Sequence, residues 1–134
     1  MLQIYFLSVI YLSLASMLLL LDSYREQLAF LLRFRAVLRE DKRAQYIFFI
    51  SGILVSVLAL LLPVSPGPVI LGDFIPAVTI ALESFYFLVS YGEKNRDRGL
   101  SFSGIKLEER RRNAGYASAA IALIHFIFPS FVLL

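Results

Sequence analysis

The sequence predicts an all-α membrane protein: an antiparallel bundle of four transmembrane helices with a basic cytoplasmic face. Three observations predict it. Of 134 residues, 59% are hydrophobic and only 17% are charged, whereas a soluble domain runs nearer half apolar and a quarter charged. The apolar residues gather into four runs, at 2–21, 46–62, 69–91 and 114–134. Each is near the ~20 residues that carry a helix across ~30 Å of hydrocarbon. Finally, all 13 Lys and Arg side chains lie in two segments between those runs, 22–45 and 92–113.

The runs read as helices because barrel strands alternate apolar and polar residues over ~10 positions, and stretches such as "ILVSVLALLLP" do not. The first run has no basic residues before it and is long for the apolar region of a signal peptide, so it is expected to remain as a span. Four spans and two polar segments use the whole length, which gives one integral membrane domain over residues 1–134.

Orientation follows from the basic residues. Arg25, Arg33, Arg35, Arg39, Lys42 and Arg43 occupy the first segment, and Lys94, Arg96, Arg98, Lys106, Arg110, Arg111 and Arg112 the second. The turn "PVSPGPVILG" and both termini have none. The positive-inside rule then puts both segments in the cytoplasm and both termini outside, across a cell membrane of the bacterial inner-membrane type. Tyr24, Tyr46, Tyr91 and Tyr116 fall at the cytoplasmic edge of the four spans, as an interfacial aromatic belt does.

Segment 22–45 contains no Gly or Pro. Tyr24, Leu28, Leu31, Phe34 and Leu38 recur at steps of three and four, which predicts a helix with one apolar face. Such a helix either lies in the headgroup layer or extends the first span into the cytoplasm. Arg35, Arg39 and Arg43 form a basic row at i, i+4, i+8. With the triplet Arg110, Arg111 and Arg112 they are the expected contacts for anionic lipid or a protein partner. The second segment is turn-rich to Gly104; Ser103 is an expected N-cap, and Glu108 is spaced to pair with Arg112.

Other chemistry is thinly represented. No cysteine and a single histidine leave no thiolate site and no imidazole cluster within one chain. No phosphate-binding loop, nucleophile elbow or paired-histidine zinc motif occurs. The pI near 9.4 reflects topogenic charge beside spans and not a nucleic-acid surface. No enzyme activity, cofactor, metal or nucleic-acid partner is expected.

Within the runs, Glu83 is the prominent polar residue. Counted back from Tyr91 it lies ~12 Å inside the boundary, where an ionised carboxylate costs ~2.5–3.5 kcal/mol. Thr79, Glu83, Tyr86 and Ser90 share one helix face, which should look into the bundle. His125, ~16 Å from the same boundary, is the expected partner of Glu83, since a carboxylate–imidazole pair neutralises both and can pass a proton. Asp73, with Pro76 just beyond it, reads as a helix start. Small residues at Gly52, Ser56 and Ala59, and at Ala114, Ala117, Ser118 and Ala122, predict close helix contacts. The expected function is that of a non-enzymatic structural or accessory subunit of a membrane complex, assembled with other subunits or as a homo-oligomer. The alternative is a small proton-coupled transporter or ion channel using Glu83 and His125.

Overall fold

A computed structural model describes residues 2–62, 73–92 and 104–128. The turn 63–72, the residues 93–103 (Ser103 with them) and the last six positions of the fourth run lie outside the described residues, as do the side chains of Tyr91 and Glu108. Among the described residues there are five helices and no strand: α1 (Leu2–Leu20), α2 (Leu31–Glu40), α3 (Lys42–Leu61), α4 (Phe74–Gly92) and α5 (Gly104–Ile127). The protein is all-α. Two helices, α1 and α3, are long and apolar enough to cross a membrane. The apolar stretch of α4, Phe74–Ser90, is shorter, and α5 opens on the charged sequence "GIKLEERRRN" before its apolar part begins. Within the described residues, therefore, only two of the four expected spans meet the requirements of length and composition.

The helices pack as two principal pairs, α1 with α5 and α3 with α4, and α1 also lies against α3 and α4. The first helix is thus the hub, and Leu12, Ala15, Leu18 and Leu19 meet Phe48, Val55, Ile80, Phe87 and Ala122 in one core. α3 buries Gln45, Phe48, Gly52, Val55, Ser56 and Ala59, a single face at steps of three and four. The expected small-residue row of α3 is all on this face. On α5 the buried row is Gly115, Ser118, Ala122 and His125, while Ala114 and Ala117 are exposed. Gly115 takes their place because it comes closest to α1: a Cβ there would lie 2.8 Å from Leu20 Cγ and 3.1 Å from Leu19 Cβ.

Gly52 marks the tightest approach. A Cβ at this position would fall 1.9 Å from Ser84 Oγ and 2.3 Å from the Tyr11 hydroxyl. Those two groups meet over the bare glycine at 2.8 Å, and Ser84 Oγ donates to Ile80 O at 2.6 Å. With the serine proton so used, Tyr11 donates to Ser84, and the 3.2 Å approach of its hydroxyl to Phe48 O is the weaker contact. One turn further along, Ser56 Oγ donates to Ala77 O at 2.8 Å and ties α3 to α4 again.

The distribution of polarity is inverted relative to a soluble fold. Ser8, Ser16, Ser56, Asp73, Glu83, Ser84, Ser118 and His125 are buried, whereas Ile10, Ile47, Ile50, Leu54, Leu82, Phe85, Leu123 and Phe126 are exposed.

Residues 21–30 form turns, so α2 does not prolong α1. It ends at Asp41, whose backbone is extended (φ −102°, ψ 110°) and whose carboxylate accepts the Arg43 N–H at 2.8 Å, capping α3. Leu31 and Leu38 are buried in the core, and Phe34 meets Phe48 edge-on with centroids 6.0 Å apart. The apolar face of α2 therefore covers the end of α3 and α4. It does not continue the first span, one of the two arrangements that the periodicity allowed.

At this same charged end Asp22 closes the bundle. Arg35 of α2 grips its carboxylate with two nitrogens, the Nη2–Oδ2 bond measuring 2.9 Å, and Arg111 of α5 reaches Oδ2 from the other side. Beside it the hydroxyls of Tyr24 and Tyr116 lie 2.6 Å apart. One carboxylate thus joins the end of α1 to α2 and α5.

Gly52→Ala is expected to lower stability by about 1–3 kcal/mol, the usual penalty for overpacking, read as a reduced unfolding midpoint in detergent. Adding Ser84→Ala, which removes the nearest obstructing atom, should recover part of it. Asp22→Asn should cost about 1–3 kcal/mol by stranding the buried Arg35 guanidinium. Arg35→Gln should then add less than it does alone, as a double-mutant cycle will measure.

Candidate functional site

The predicted site residues separate into two places. His125 is fully buried near the far end of α5, against α1. The Tyr5 hydroxyl donates to the carbonyls of His125 (2.8 Å) and Phe126 (2.9 Å), and its ring stands 4.8 Å from the imidazole, centroid to centroid. The cause is readable in the sequence. Residue 129 is proline, which has no N–H for the His125 carbonyl four residues before it. Tyr5 supplies the missing donor. Ser8 Oγ donates to Tyr5 O at 2.7 Å and lies 3.4 Å from His125 Nε2. With its one proton so used, Ser8 offers Nε2 an acceptor. Asp73 is buried within electrostatic reach of His125 and Tyr5. Its carbonyl accepts the Ala77 N–H at 3.0 Å, the bond expected of a residue at a helix start.

Glu83 is elsewhere. It is 7% exposed and has the Ser118 hydroxyl of α5 as its polar neighbour, but the two stand farther apart than an ordinary hydrogen bond, and no other group bonds to either carboxylate oxygen or to Ser118 Oγ. His125 does not hydrogen-bond to it. Ser118 and His125 are seven residues apart, ~10 Å along α5, so the expectation that Glu83 and His125 share a level fails. Counting depth from each span's edge assumes that α4 and α5 start level, whereas contacts with α1 set the register of each. A buried polar group without a partner costs about 1–3 kcal/mol, and more if charged, so this cluster is the least satisfied place in the bundle.

The rest of the predicted stripe on α4 lies at the margin of its buried face. Thr79 Oγ1 turns back to Ile75 O at 2.8 Å. Tyr86 and Ser90 are half-buried, with Tyr86 edge-on to Phe87 at 5.7 Å. The inward face is made instead by Pro76, Ala77, Ile80, Glu83, Ser84 and Phe87.

A cleft of about 310 Å³ lies beside Glu83, whose two carboxylate oxygens are themselves sealed from solvent. Leu19, Leu82 and Tyr86 form its walls, and Arg110 and Arg111 line it at the charged end. Arg111 is half-buried, and this burial lowers its guanidinium below the ordinary value; an arginine remains charged at neutral pH regardless. Arg110 and Arg112 are exposed. The row Arg35, Arg39 and Arg43 is not one surface: Arg35 is buried against Asp22, while Arg39 and Arg43 are exposed. Asp41 breaks the helix between Arg39 and Arg43, so the spacing i, i+4, i+8 does not keep the three in line.

Sequence reasoning passed over three residues that organise these sites: Tyr5, Tyr11 and Asp22. Pro129 signalled the first. Asp22 was the first charge after an apolar run, beside a segment of basic residues. Tyr11 carried no signal beyond being polar in an apolar helix, whereas Ser118 was read only as a small contact residue and not as a neighbour of Glu83.

Among the described residues no cluster of three His, Asp or Glu is suited to a metal ion. No curated protein and no solved structure matches the chain. One family model, that of a domain of unknown function, matches residues 1–125, and the chain belongs to that family.

Proposed function

We propose that the protein spans the membrane four times, with both termini outside the cytoplasm, and serves as a non-enzymatic accessory subunit of a membrane complex. The observation that carries this reading is the inverted polarity of the bundle. Large apolar side chains clothe the outer faces of α1, α3, α4 and α5, while serines, a histidine and two carboxylates turn inward. Exposed apolar surface on this scale fits contact with lipid or with other transmembrane helices.

The accessory reading rests on how the inward polar groups are used. Tyr5, Tyr11 and Ser56 each hydrogen-bond to a neighbouring helix, and such bonds specify helix packing. A proton-coupled transporter or channel, the second reading, draws on the unpartnered Glu83 carboxylate. It would need a polar path joining Glu83 to His125, and Ser118, which faces Glu83, lies about two turns from His125 along α5. The charged end, with exposed Arg39, Arg43, Arg110 and Arg112, is the surface offered to a partner.

A reporter that works only in the cytoplasm should be active when fused after Asn95 and inactive after Leu134. Activity at the C-terminus would overturn the orientation. Charge reversal at Arg39 and Arg43 together should release a co-purifying partner while the protein stays folded in the membrane. Arg35 is left untouched because it holds Asp22. Unchanged co-purification would remove this surface from the reading.

A further inference from the structure

The two helix pairs meet unevenly. α1 packs on both, but α4 touches α5 only lightly, and the cleft of about 310 Å³ lies in the gap, with Leu19 of α1 as its third side. Leu82 and Tyr86 of α4 and Ala114 of α5 complete a wall that is almost wholly apolar. Leu82 and Ala114 are exposed, so this groove opens on the outer face of the bundle. Glu83 also lines it, but the carboxylate oxygens are sealed from solvent and are not what the groove presents. At the charged end the lining changes to Arg110 and Arg111. Arg111 shares the Asp22 carboxylate with Arg35, and Arg110 is exposed. One carboxylate among three guanidinium groups leaves positive charge in excess at the mouth. The walls favour hydrocarbon over water, and the mouth favours a phosphate.

We propose that this groove holds one anionic phospholipid, its phosphate at Arg110 and the first methylenes of an acyl chain between Leu19, Leu82, Tyr86 and Ala114. Basic pockets between transmembrane helices on the cytoplasmic side suit such headgroups. The Arg110 guanidinium donates through a planar fork that matches two phosphate oxygens. Arg111 adds positive potential, its contact with Asp22 being already made. That excess favours a lipid of net negative charge over a zwitterion, whose own cation it repels. A chain in the gap supplies the packing that α4 and α5 do not give each other. Arg112 is exposed nearby but does not line the groove, which separates this site from the general attraction of basic residues to an anionic surface. The proposal depends on the membrane-spanning reading above. The fusion reporter tests that reading without reference to lipid, so the two can fail separately.

The test is retention of added phospholipid by the intact, delipidated protein in mild detergent, read by native mass spectrometry. The probes are phosphatidylglycerol and phosphatidylcholine with identical acyl chains, and glycerophosphoglycerol, the first headgroup without chains. Phosphatidylglycerol should be retained about fivefold better than phosphatidylcholine, the ratio expected of one basic side chain near anionic lipid. Glycerophosphoglycerol should neither be retained nor displace the lipid. Arg110→Gln should bring the ratio near one, whereas Arg112→Gln should leave it unchanged. Ala114→Phe, at an exposed position, fills the groove and should lower retention of both lipids. Helix content by circular dichroism shows that each variant is folded; should Ala114→Phe unfold, Leu82→Trp, also at an exposed position, blocks the groove from α4. Equal retention of the two lipids overturns the proposal, as does a preference that survives Arg110→Gln or falls equally with Arg112→Gln. Undiminished retention in the filled groove overturns it too. Binding of the chainless headgroup does so by leaving the arginines to act alone. A dimer in place of the lipid, lost on Ala114→Phe, does so by giving the groove to a second copy of the chain.

Discussion

Much of this bundle depends on the missing side chain at Gly52. Because nothing projects from α3 there, the Tyr11 hydroxyl and Ser84 Oγ meet directly over the helix backbone, and α1, α3 and α4 are fixed at one level. That contact sets the rotation of α4. Ser84 points toward α1 and α3, so Glu83, about 100° away around the helix, turns toward α5 and arrives opposite Ser118. The register between α1 and α5 is set separately, by Tyr5 reaching the His125 and Phe126 carbonyls. Two tyrosines on one helix thus decide where Glu83 and His125 stand. They place them apart.

The part of the fold legible in the sequence was the part that composition and periodicity determine. The apolar runs gave helices close to α1, α3 and α4, and the steps of three and four in segment 22–45 gave the apolar face of α2. Periodicity does not say what covers a face, and Phe34 and Leu38 proved to pack on the bundle. The break at Asp41 was harder to see, because it uses neither Gly nor Pro. It relies on a carboxylate capping the following helix, which any Asp in a basic segment could do. The Glu83–His125 expectation failed because depth along a helix is local information, whereas register between helices comes from distant residues such as Tyr5 and Tyr11. For the candidate site, Glu83 was evident as a charge out of place; Ser118 and the arginines lining its cleft needed three dimensions.

The charged end obeys a different economy from the interior. Asp22 receives Arg35 and Arg111 at once, leaving an uneven balance of one carboxylate to two guanidinium groups. The surplus positive charge lies close to the Glu83 cleft, and Arg111 belongs to both. Structural clamp and candidate binding site are therefore coupled through one side chain. Any ligand drawing on Arg111 would act on the joint between α1, α2 and α5.

The central position of α1 bears on how the chain comes together during synthesis. α1 takes α5 as its main neighbour, so it must wait until α2, α3 and α4 have been made before it can dock there. Its serines are provided for meanwhile: Ser8 and Ser16 each donate to a carbonyl three residues back in the same helix. Its tyrosines have no such refuge. The Tyr5 hydroxyl is used only once the end of α5 has arrived, and that of Tyr11 only once α3 and α4 are side by side. In the interval these two groups are the adhesive part of a nascent α1. A ribosome-bound chain halted before α5 would present Tyr5 to any other helix with a free carbonyl.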